Sequence, residues 1–371
     1  MMLHGLSLFL VSALSSAGVA VDSGKPPIYS GAELLKNASK ELKLEGAAVI
    51  IVQVTPKGPV DLVRSYTGNF SPDTELPIAS VTKMLTAATI ATLVDRGRLS
   101  FDTPISHCIG DAPAAWHGMT IRQTLSHLSG LPGLPPGRES RFADLATSVD
   151  EMKVVPLKGA PGKIFVYSGT AYQVAARCAE RLEGKDFRSI FAERIAKPLE
   201  LKATRYFGAK APLTGGGIVT SPSDMERFAR MLLLGGKLDG VRVLKTGTIE
   251  DMARMIAAPS RGAETPAIAN GFAGTGTGFW CERVTPSGRC VSIAGLGAFG
   301  SYLWVDFEKS AYGVMLVRTD PTPILPVWRA IRAAAFESHG SSGQKRDPLA
   351  RRFSHQASSP IVLRERPDLA P

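Results

Sequence analysis

The sequence predicts an α+β fold, an antiparallel sheet flanked by helices with a mostly helical subdomain inserted into it. Three observations carry this. A β-branched run near the amino terminus, AAVIIVQV at 47–54, is followed across a Pro-Lys-Gly-Pro turn by a second extended stretch at 60–66. From 99 to about 235 the pattern is helical, interrupted by Pro- and Gly-rich connections such as SGLPGLPPG. From Phe272 onward short strand-like runs return, and a helical stretch closes the pattern. One sheet assembled from both ends of the chain, around a helical insert, accounts for that order.

Residues 1–20 carry an apolar stretch from Leu6 to about Leu14, then Ala17-Gly18-Val19-Ala20, a small-x-small cleavage pattern. They predict a signal peptide and an exported protein, periplasmic or secreted. The stretch is too short for a stable membrane span. Its amino-terminal end lacks Lys or Arg, so an uncleaved anchor or a misassigned start stays open. Gly31 to Leu42 has the spacing of an amphipathic helix, and the two strands follow. After the turn-rich SPDTELP, a helix is predicted from Ser80 to about Arg96, stopped by Gly97. Helices are expected in the insert at 120–128, 141–151, 170–183, 187–196 and 222–234. The returning strands are TGFWCERV, CVSIAG, SYLWVDF and AYGVMLV, and the last helix runs from Ile324 to about Glu337. A single catalytic domain is thus expected over 21–338, followed by a basic, disordered tail at 339–371 with no apolar period.

The composition belongs to a globular chain of 371 residues, 44 % hydrophobic and 20 % charged, long enough to bury a sizeable core. The net charge of +10 is dispersed, and no run of Lys/Arg is interleaved with aromatics, so no nucleic-acid partner is expected. Four cysteines make no disulfide framework in so long a chain. Cys281 and Cys290 flank ERVTPSGR, a hairpin turn, and either bridge or remain thiols; Cys108 and Cys178 read as core residues. The histidines show no ligand spacing such as H-E-x-x-H, and neither metal nor cofactor is expected.

The chemistry centres on Ser80-Val81-Thr82-Lys83 at the start of the helix that follows PIA. Residues three apart share a helix face, so the amine reaches the hydroxyl. The helix start also offers unpaired N–H groups and a positive dipole end. A serine is a weak nucleophile until a neighbour takes its proton, and a lysine serves where its surroundings favour the neutral amine. Alone, such a tetrapeptide is a weak signal and reads first as a capping serine and a solvated lysine.

Its company is more specific. PIASVTKMLTA is followed by LSHLSGLPG at 125–133, FVYSGTAY at 165–172, GGGIVTSPSDMERFARML at 215–232 and GLGAFGSYLWVDF at 295–307. This ordered set resembles the serine β-lactamase and penicillin-binding protein superfamily, in its class C-related branch, which includes D-amino peptidases and esterases. The resemblance covers nearly all of 30–337. It implies a β-lactamase/transpeptidase-like fold, with Ser80 as acylated nucleophile, Lys83 as general base and Tyr167 as second proton carrier. It further implies an oxyanion hole made by the N–H groups of Ser80 and Ala298. Gly215–Gly217 matches a loop near the site, and His127 an element that supports the helical subdomain.

Two departures bear on substrate. The third position of the Y-x-N element is Gly169, so the amide that commonly contacts a substrate carbonyl is missing. The strand motif, Lys or His then x-Gly in the family, reads Gly295-Leu296-Gly297, so the cation that grips a substrate carboxylate is missing too. A lost charged hydrogen bond costs about 1.5–3 kcal/mol, which argues against efficient β-lactam hydrolysis and leaves small esters unaffected. The expected partner is therefore a small ester, amide or peptide substrate. The rival readings are a weak β-lactamase or D,D-peptidase acting on cell-wall peptides, and a non-catalytic binding protein on the same fold. Lys245-Thr246-Gly247 spells the family's third motif literally but precedes a helical stretch, TIEDMARM, rather than ending a strand. Gly295-x-Gly297-x-x-Gly300 fits a dinucleotide fingerprint but is followed by a strand, YLWVDF, where that fingerprint needs a helix.

Overall fold

A computed structural model describes residues 30–133, 143–208, 210–258 and 271–340. The expected signal peptide, and the expected tail beyond residue 340, lie outside the described residues. A seven-stranded antiparallel sheet has the order β2-β1-β12-β11-β10-β9-β8. Its strands are β1 (Gly46–Thr55), β2 (Gly58–Gly68), β8 (Gly274–Thr275), β9 (Trp280–Val284), β10 (Cys290–Leu296), β11 (Tyr302–Asp306) and β12 (Ala311–Val317). The first and last thirds of the chain meet where β1 pairs with β12, with Ile50 opposite Val314.

The unbroken apolar run in β1 follows from a sheet covered on both faces. Ala47, Val49 and Ile51 pack with Leu35 of helix α1 (Gly31–Glu41) and with Ile324, Trp328 and Ile331 of the last helix. Ala48, Ile50 and Val52 face the opposite core, beside Val81, Met84 and Leu85. Each such Val or Ile contributes roughly 1.5–3 kcal/mol through burial. A Cβ at Gly313 of β12 would lie 2.3 Å from the Trp304 indole, so only glycine lets that ring cross the strand.

Helix α2 (Thr82–Asp95) is buried from Thr82 through Leu93, which explains a sequence with no distinct polar face. Around it stand α3 (Ile105–Cys108), α4 (Ile121–Leu125), α5 (Leu145–Lys153), α6 (Thr170–Glu183), α7 (Phe187–Phe191) and α8 (Pro222–Leu233); α9 (Thr246–Met252) follows, and α10 (Pro321–Gly340) covers the sheet's other face. α6 has the expected bounds, because Gly184 at φ +66 stops it. Other expectations differ. The helix expected at 120–128 stops at Leu125, and His127 then adopts φ +63. The one expected at 187–196 changes at Ala192 into a π-helical turn. A small sheet missing from the sequence reading, β3 (Leu76–Pro77), β5 (Ile218–Thr220) and β4 (Arg205–Tyr206), lies at the entry to α2. A further pair, β6 (Lys237–Leu238) and β7 (Val241–Arg242), forms a hairpin after α8. Cys281 and Cys290 form a disulfide across the β9–β10 hairpin, whereas Cys108 and Cys178 are buried thiols. Among the described residues no helix is long and apolar enough to cross a membrane.

Candidate active site

The approach to Ser80 is fixed from both sides. β3 pairs with β5, and the Ile78 N–H donates to the Ile218 carbonyl at 3.1 Å. Ala79 then takes φ +44, a left-handed conformation costing a residue with a Cβ about 1–2 kcal/mol. A 3-10 turn at Ala79–Val81, which includes Ser80, delivers the chain into α2, two residues later than the sequence suggests. Ser80 is half-buried at this corner, and Lys83, 6 % exposed, points inward.

Lys83 Nζ donates to Ser80 Oγ at 3.1 Å and to the Gly215 carbonyl at 2.7 Å. That carbonyl is held by side chains of α2. Thr82 Oγ1 accepts from the Ile218 N–H at 3.1 Å, and Thr86 Oγ1 donates to the Thr214 carbonyl at 2.6 Å. The turn itself is closed by N–H groups of Gly216 and Gly217 donating to Leu213. A Cβ on Gly215 would come within 2.7 Å of Gly169 Cα, so the two glycines let these backbones touch. The lysine's second contact is thus a main-chain oxygen, which no side-chain motif announces. Among the described residues Lys83 has no carboxylate partner.

Aromatic rings wall in the amine. Lys83 Nζ lies 4.7 Å from the centroid of the Tyr167 ring and 5.5 Å from that of Tyr172. Trp280 stacks on Tyr167 at 5.6 Å with an interplanar angle of 11°. The Tyr172 hydroxyl donates to the Leu125 carbonyl at 2.7 Å; burial, and then the neighbouring Tyr167, pushes its pKa well above the ordinary phenol value, so it stays protonated and structural. Trp280 and Tyr172 were missed in the sequence because both read as ordinary core aromatics.

The end of β10 closes the third side. A Cβ on Gly297 would lie 2.4 Å from the Ile78 carbonyl oxygen, so the turn after β10 is laid against the chain entering Ser80. This turn is closed by Gly300 N–H to Gly297 O at 3.0 Å, and it leaves Ala298 and Phe299 exposed. A Cβ on Gly295 would meet Met84 Sδ at 2.6 Å, so a methionine fills the space beside the missing cation. A half-buried serine hydrogen-bonded to a buried amine is an arrangement suited to acyl transfer.

The literal Lys245-Thr246-Gly247 lies elsewhere. Lys245 donates from its N–H to Asp95 Oδ2 at 2.6 Å and from Nζ to the Asp95 carbonyl at 2.7 Å, at the opposite end of α2, roughly 20 Å from Ser80 at 1.5 Å per residue. Lys245→Ala is expected to leave hydrolysis within about twofold of wild type in steady-state assays, since its N–H contact survives and the pair is exposed. A loss beyond tenfold would return this motif to the site. Gly295–Gly300 bridges β10 and β11 with no helix behind it, unlike a dinucleotide loop. Among the described residues no group of three or more His, Cys, Asp or Glu could hold a metal ion.

A family model described as Beta-lactamase matches residues 32–336. The D-alanyl-D-alanine-carboxypeptidase/endopeptidase AmpH of Escherichia coli is 28 % identical over 197 residues, covering 43 % of this chain and 49 % of AmpH. Esterase EstB of Burkholderia gladioli is 27 % identical over 196 residues, 47 % of this chain and 50 % of EstB. The chain therefore spans about half the length of these curated relatives. A solved structure from Bacteroides dorei, of a candidate beta-lactamase, superposes with a TM-score of 0.73 at 27 % identity, over 82 % of this chain and 97 % of that one.

Proposed function

We propose, from the premise that this chain belongs to the beta-lactamase family, that it hydrolyses small carboxylic esters and acyl amides through an acyl-enzyme on Ser80. The observation that carries the reading is the amine of Lys83 held at 3.1 Å from Ser80 Oγ inside a buried, aromatic-walled site. Ser80 Oγ attacks the carbonyl carbon, and its proton passes to the Lys83–Tyr167 pair. The leaving alcohol or amine takes that proton as its bond to the acyl carbon breaks. Water then attacks the ester on Ser80, gives a proton to the same pair, and releases the acid as Ser80 is reprotonated. The N–H groups of Ser80 and Ala298 are assigned to the oxyanion. The leader-like residues 1–20 support a place outside the cytoplasm.

Esters are favoured over β-lactams because position 295 offers no cation to a substrate carboxylate, while Phe299, 44 % exposed, adds an apolar rim beside Ala298. The test is turnover of a short-chain p-nitrophenyl ester beside a chromogenic cephalosporin. Ester turnover at least a hundredfold faster is expected. Cephalosporin turnover at the faster rate would contradict the ester preference, and cleavage of a D-alanyl-D-alanine peptide with no ester turnover would favour the peptidase activity named for AmpH.

A further inference from the structure

We infer that His127 is a positioning residue for Tyr167: its imidazole accepts the hydrogen bond that fixes the main chain beside the tyrosine and packs its ring against the phenol. This rests on the role given to Tyr167 above. The Ser168 N–H donates to His127 Nδ1 at 3.3 Å, and the Val166 N–H donates to the His127 carbonyl at 2.9 Å. The residues on both sides of Tyr167 are therefore tied to one residue. The imidazole and phenol centroids are 4.4 Å apart, and Phe165, Tyr172 and Trp280 complete the cage around the imidazole at 5.7, 5.5 and 6.3 Å.

Acceptance at Nδ1 requires that nitrogen to be unprotonated, which leaves the ring proton on Nε2. The surroundings enforce this. Burial, and after it the neighbouring Lys83, holds the imidazole well below its ordinary value, so the ring is neutral at physiological pH. The backbone is specified as tightly. His127 sits at φ +63, a conformation costly for most side chains, and is held there by Leu128 N–H to Gln123 O at 2.8 Å and Gly162 N–H to Leu128 O at 2.7 Å. A further tie comes from Thr170 Oγ1 donating to the Pro132 carbonyl at 2.6 Å, so the segment 127–132 backs the whole Tyr167–Thr170 turn. A residue needed only to fill this core need not present an acceptor in a left-handed conformation.

The pair His127→Asn and His127→Gly separates the contributions. Both tolerate positive φ; asparagine keeps an acceptor at the position of Nδ1, whereas glycine keeps none. Active sites are counted by stoichiometric phosphonate labelling, so that kcat refers to folded, reactive enzyme. The glycine variant is expected to lose at least tenfold in kcat with KM within about twofold, and the asparagine variant to recover to within about threefold of wild type. Unchanged kcat per active site in the glycine variant, or equal losses in both variants, would overturn the inference. An unreactive wild-type enzyme would instead overturn the functional reading, so the two failures are distinguishable.

Discussion

Ser80→Ala is expected to reduce ester turnover by a factor on the order of 10⁴ or more while leaving the fold intact, because it removes the atom that carries the acyl group. The hydroxyl is half-buried and accepts one hydrogen bond from Lys83, whose second contact, the Gly215 carbonyl, remains. A stability change of about 1 kcal/mol or less is therefore expected, read as an unchanged denaturant midpoint. Substantial turnover in this variant would mean that another nucleophile acts.

Lys83→Met has the second large effect, with opposite signs for activity and stability. The side chain is replaced by an apolar one of similar length, so proton transfer is lost and acylation should slow by about 10²–10⁴-fold in single-turnover measurements. Stability should be unchanged or higher. The lysine amine is buried without a carboxylate partner among the described residues, a placement costing several kcal/mol for an ion. The variant leaves the Gly215 carbonyl without its donor, at about 1–3 kcal/mol, the smaller of the two terms. A thermal melt showing a large loss of stability would indicate that Lys83 holds the fold together rather than holding a reactive centre at the expense of stability.

Much of the fold is legible in the residues because burial on two faces leaves a mark. β1 and β12 read as continuous apolar runs, and both are sandwiched between the core around α2 and the layer of α1 and α10. The small sheet β3–β5–β4 left no such mark, since two- and three-residue strands are too short to show a period. The start of α2 lies two residues beyond the expected Ser80, after a short 3-10 turn, because the left-handed Ala79 lies at a residue type that does not advertise it. In the site, Ser80, Lys83 and Tyr167 are side chains in a recognisable order, and the structure brings the three together. Gly215 acts through its carbonyl, which has no residue signature beyond a run of glycines. The stacking of Trp280 on Tyr167 joins residues more than a hundred positions apart with no spacing to betray it. The missing cation at Gly295 was visible as an absence, but the methionine occupying its place comes from a different element and only the packing reveals it.

The most direct test of the acyl-enzyme assignment is intact-mass analysis and peptide mapping after exposure to a fluorophosphonate that reacts with activated serines. A single adduct per chain is expected, on the peptide carrying Ser80, absent from Ser80→Ala and much slower to form in Lys83→Met. An adduct on any other residue, or labelling that persists in Ser80→Ala, would contradict the assignment of Ser80 as the nucleophile.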